Sequence, residues 1–112
     1  MNSLFMIESA QQSQSSQECS LVIGGAEFFG PFDSYISCRE QSGILAVFKI
    51  DSDCQLKVLN IYQTANVRAS ALLELSYHSG DEDKTCVGAL YCLDLGWQEC
   101  TQMASSIWKS LG

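Results

Sequence analysis

Between residues 44 and 50 apolar side chains fill both alternations of an extended chain, with Ile44, Ala46, Phe48 and Ile50 on one side and Leu45 and Val47 on the other. That pattern predicts a central strand covered on both faces. The polar string Asp51-Ser52-Asp53-Cys54-Gln55 supplies a hairpin connection, and residues 56–62 return as the partner strand. The period then changes. Thr64 or Asn66 can N-cap a helix reaching about Tyr77, and Val67, Ala71, Leu72 and Leu75 form its sheet-facing stripe. Residues 85–94 predict a third strand, with Val87, Ala89, Tyr91 and Leu93 on one face and Gly96 ending it. Residues 98–111 close the domain as an amphipathic helix, whose stripe of Cys100, Met103, Ala104, Ile107, Trp108 and Leu111 is assigned to the core.

The N-terminal part is less regular. The tract ESAQQSQSSQEC over residues 8–19 has no apolar period and reads as a flexible segment. Residues 20–23 are a short β-prone run broken by Gly24-Gly25, and residues 26–32 set three phenylalanines around Gly30-Pro31, a turn whose aromatics pack on the domain edge. The expected organisation is a flexible Gln/Ser-rich segment with a short strand over 1–25 and a folded domain over 26–112. That domain is α/β (α+β), with a small three-stranded mixed or antiparallel sheet flanked by two or three helices.

Composition narrows the function. A chain of 112 residues, 46% hydrophobic and 17% charged, forms one domain with a real core. Its net charge of −7 opposes binding to phosphate backbones, which requires clustered Lys and Arg. The run Asp81-Glu82-Asp83 reads as a solvated loop. Cys19, Cys38, Cys54, Cys86, Cys92 and Cys100 show no zinc-ligand spacing, and His78 reads as a surface histidine without a paired carboxylate. With no signal peptide and no apolar run long enough to span a bilayer, the cysteines are expected as reduced thiols in a cytoplasmic protein, with no membrane association.

The strings Gly43-Ile44-Leu45, Asn60-Ile61-Tyr62 and Gln63-Thr64-Ala65-Asn66-Val67 occupy a strand, its partner strand and a helix start. In this layout residues 43–111 resemble the GIY-YIG nuclease family, and the aromatic-Gly-Pro-aromatic turn upstream adds to the likeness. The resemblance implies a first-helix arginine, a later glutamate holding one divalent metal, and two tyrosines acting with water on phosphorus. Leu45 and Asn60 stand at the tyrosines, Tyr62 at the following glycine, Ser70 at the arginine, and Ala104 or Ser105 near the glutamate. Leucine has no proton to give, and asparagine cannot act as an acid or base near neutral pH. Arg68 lies two residues before the arginine position and is expected to face solvent, while Glu99 reads as a favourable first-turn charge.

The resemblance therefore implies a nuclease-like scaffold without its chemistry, acting as a protein-binding module of inhibitor, immunity or accessory type. Its expected binding face is lined by Leu45, Asn60, Tyr62, Thr64, Asn66 and Ser70, its partner is a protein, and it needs no cofactor or metal. The alternative is a divergent endonuclease in which Tyr62, Arg68 and Glu99 have taken over catalysis with Mg²⁺ or Mn²⁺. A third reading is another mixed α/β fold, in which Asn60 and Tyr62 need not lie beside Leu45.

Overall fold

The computed structural model describes residues 7–8 and 20–111. The strands are β1 (Ile7–Glu8), β2 (Ser20–Ile23), β3 (Ala26–Phe32), β4 (Gly43–Ile50), β5 (Leu56–Thr64) and β6 (Lys84–Tyr91). Helices α1 (Val67–Tyr77) and α2 (Trp97–Leu111) follow β5 and β6, and a 3-10 turn, Tyr35–Ser37, precedes β4. The fold is α+β. All strands join one antiparallel sheet of order β1-β2-β3-β6-β4-β5. The sheet is thus larger than the three strands expected, and none of its pairings is parallel. Most of the Gln/Ser-rich tract lies outside the described residues.

The extra width comes from β2 and β3. Gly24 and Gly25, both at positive φ, turn the chain between them, and the expected boundary at 25/26 falls inside this hairpin. Leu21, Ile23 and Phe28 are buried in the main core. Residues 26–32 form a strand rather than the expected turn, because the ladder to β6 shifts register between Phe29 and Phe32 and so accommodates Gly30-Pro31. Gly30 sits at φ +132, where a Cβ would also meet the Val87 carbonyl oxygen at 3.0 Å.

β4 is the organising strand, paired with β5 on one side and β6 on the other. Its alternation divides two cores. Ile44, Ala46 and Phe48 pack with Cys100, Ala104 and Ile107 of α2, whereas Leu45 and Val47 pack with Val67 and Ala71 of α1 on the opposite face. The helices therefore cover opposite faces of one sheet. Leu72, expected on the sheet-facing stripe, is 42% exposed, since it lies about 100° around the helix from buried Ala71. Leu93 falls beyond the end of β6 and is also exposed.

Local chemistry fixes the ends of these elements. The Asn66 side chain accepts the Ala69 N–H at 3.0 Å as N-cap of α1, and the Glu99 carboxylate accepts the Gly96 N–H at 2.9 Å at the start of α2. The Asp51 carboxylate accepts the N–H groups of Asp53 and Gln55, closing the β4–β5 hairpin. The Ser110 hydroxyl lies 2.8 Å from the Ile107 carbonyl and 3.2 Å from the Gly24 carbonyl, so the end of α2 sits against the β2–β3 turn.

Gly43 begins β4 opposite Tyr91 of β6, and a Cβ there would strike the Leu90 carbonyl oxygen and approach Tyr91 Cα at 3.0 Å. Both obstacles are backbone of a central ladder and cannot rotate away. Gly43→Ala is expected to destabilise the fold by about 1–3 kcal/mol, the usual cost of overpacking, measured by urea denaturation. An unchanged midpoint would show that the two strands can separate without loss.

Candidate functional site

The polar residues singled out along β5 and the start of α1 lie on one seam between strand and helix. The Tyr62 hydroxyl donates to the Glu74 carboxylate at 2.8 Å, and the hydroxyls of Thr64 and Ser70 share a hydrogen bond at 2.7 Å. Asn66 is engaged as the N-cap, and its own N–H donates to the Thr64 hydroxyl at 3.2 Å. Leu45 lies directly opposite Tyr62 in the ladder and Asn60 opposite Val47. Leu45 has no exposed surface, because α1 lies over it. The open concave face expected over Leu45, Tyr62, Thr64, Asn66 and Ser70 is thus occupied by α1, and these side chains hold the helix to the sheet.

The N-terminus of α1 is equally engaged. Val67 and Arg68 donate their N–H groups to the carbonyls of Gln41 and Arg39, while Ala69 and Ser70 donate to Asn66. No donor of this first turn is left for a phosphate. Arg68 does not simply face solvent as expected. Its Nε donates to the Cys38 carbonyl at 2.8 Å and an Nη to the Ile36 carbonyl at 3.2 Å, so the guanidinium pins the 3-10 turn against α1.

The three residues of the endonuclease alternative do not converge. Tyr62 and Arg68 are on the α1 side of the sheet, whereas Glu99 is on α2 across the sheet, with one oxygen engaged by Gly96. Among the described residues no group of three or more His, Cys, Asp or Glu side chains could hold a metal ion. His78 does have a carboxylate, which the sequence reading missed. Asp81 sits 2.7 Å from its Nδ1 and 2.8 Å from Lys49 Nζ, joining the end of α1 to the end of β4. The cation and the imidazole hold the Asp81 carboxyl below its usual range. Five free cysteines lie among the described residues; Cys38, Cys86, Cys92 and Cys100 are buried, and Cys54 is exposed in the β4–β5 turn.

The accessible feature is the outer edge of β5, the last strand of the sheet among the described residues. The Ile61 N–H is bonded by the Asn60 side-chain oxygen at 2.9 Å rather than by β4. In an antiparallel ladder residues two apart point their backbone groups the same way, so Ile61 and Gln63 both direct N–H and C=O outward. A bulge between Val47 and Phe48 places the extra β5 residue at Leu59 and ends the regular edge there. Beside the edge runs a groove of about 290 Å³, lined by Asn60, Ile61, Tyr62 and Gln63 of β5 and by Thr101, Ala104, Ser105 and Trp108 of α2. Trp108 is 44% exposed and walls this groove instead of belonging to the core as expected. A helical stripe shows which residues share a flank, and only the sheet's handling of that flank decides which of them are covered.

The chain matches no protein-family model, no curated protein and no solved structure. No helix among the described residues is long and apolar enough to cross a membrane. The fold and the site together describe a small α+β domain with a filled strand face and an open strand edge.

Burial, the hydrogen bond to Glu74 and the negative charge of that carboxylate all push the Tyr62 phenol well above its ordinary value. A raised folded-state value means that the stabilisation is fully present below the unfolded tyrosine's pKa of about 10 and is lost as pH rises through the folded value. Thermal melts between neutral and strongly alkaline pH should show a loss above about pH 10 that is smaller in Tyr62→Phe. Equal losses in both proteins would place the alkaline sensitivity elsewhere.

Proposed function

We propose that this domain is a protein-binding module that engages its partner along the outer edge of β5, on a GIY-YIG-like scaffold from which catalysis has been lost. An inhibitor, immunity or accessory role fits this reading. One observation carries it: among the described residues β5 ends the sheet, with the backbone of Ile61 and Gln63 directed outward and the Ile61 N–H held by the Asn60 side chain, beside a groove of about 290 Å³. The opposite edge carries at least the bridge of Ile7–Glu8 to β2.

Two further features support binding over phosphodiester chemistry. The hydroxyl and amide side chains near the resembling motif are engaged in seating α1, and the net charge of −7 disfavours a polyanion.

Gln63→Pro removes the outward N–H without touching a bond to β4 and is tolerable at an edge position. Glu27→Lys changes an exposed residue on β3, away from the groove. A partner isolated on the immobilised protein is expected to be lost with Gln63→Pro and retained with Glu27→Lys. A partner retained by the proline variant, with its fold intact by circular dichroism, would overturn docking at the β5 edge.

A further inference from the structure

The β5 edge has properties that select among occupants. Residues 58–64 of β5 and 100–108 of α2 contain no Asp, Glu, Lys or Arg, between Lys57 on the strand and Glu99 and Lys109 on the helix, although the chain carries thirteen acidic and six basic side chains. Beside this strip the Glu74 carboxylate accepts the Tyr62 hydroxyl. Two copies of a chain with net charge −7 repel one another when acidic faces meet. Through this strip they meet without opposed charges.

We infer that the occupant of the β5 edge is a second copy of this chain, joined by antiparallel β5–β5 pairing about a two-fold axis. This rests on reading that edge as the docking strand. The bulge at Leu59 and the end of β5 at Thr64 leave Ile61 and Gln63 as the residues with outward backbone groups in undisturbed strand. A symmetric pairing in which both are satisfied sets Ile61 against Gln63 of the second copy and Gln63 against its Ile61, with Tyr62 at the dyad. The Ile61 N–H then exchanges the Asn60 side-chain oxygen, its present acceptor, for a backbone carbonyl of the second copy.

Beyond the bulge the edge runs from Asn60 to Thr64 and spans about 17 Å. On the α2 side the small residues Thr101, Ala104 and Ser105 allow close approach, with Trp108 beside them to be covered.

Sedimentation equilibrium of the wild-type protein across the micromolar range tests this, with Gln63→Lys and Gln63→Glu each alone and then mixed. The expected result is a wild-type dimer, at least about a tenfold weaker self-association in each single variant, and recovery of the dimer in the mixture, since opposite charges meet across the dyad. Unfolding of a variant cannot mimic that recovery. A wild-type chain that is monomeric throughout the range would overturn the second-copy assignment while leaving edge docking of another protein to its own test with Gln63→Pro. A dimer that persists unchanged in both variants would overturn pairing through β5.

Discussion

Burial of β4 on both faces is the constraint from which the rest of the structure follows. A strand with no exposed face needs a ladder on each side and a helix over each surface, and the alternating Ile44, Ala46 and Phe48 against Leu45 and Val47 demand both. β5 and β6 supply the ladders, and α1 and α2 supply the covers. The close approach at Gly43 lets β4 lie against β6. The β2–β3 hairpin then extends the sheet beyond β6, and among the described residues no strand extends it beyond β5.

This arrangement determines where function can reside. Covering Leu45 with α1 requires the helix to be seated, and the polar residues of the seam do the seating through the Tyr62–Glu74 and Thr64–Ser70 bonds and the Asn66 cap. Arg68 serves the same end by holding the 3-10 turn. The polar side chains of the seam are thereby structural ligands of a helix. The open strand edge lies on the rim, where the backbone of Ile61 and Gln63 points away from the sheet and Trp108 stands beside it.

Much of the body was legible in the residues. The two-sided apolar pattern of β4, the Asp51 hairpin, the Asn66 cap and the buried positions of α2 all follow from local chemistry and period. The segment over residues 26–32 with its three phenylalanines was not, because Gly30-Pro31 reads as a turn until the register shift to β6 is known. Periodicity also could not separate Ala71 from Leu72, or Ile107 from Trp108, since each pair borders one stripe and only the lateral extent of the sheet decides which member is covered. Glu74 as partner of Tyr62 was hidden for a related reason: the contact crosses between strand and helix, and nothing in either local pattern signals it.

Residue-resolved amide hydrogen exchange at low and high protein concentration tests most directly the claim that the outer edge of β5 is the working surface. The account predicts that the amides of Tyr62 and Thr64, directed at β4, are protected at both concentrations, whereas Gln63 exchanges freely when dilute and becomes protected when concentrated. A Gln63 amide already protected at high dilution, or one whose exchange is the same at both concentrations, would contradict it.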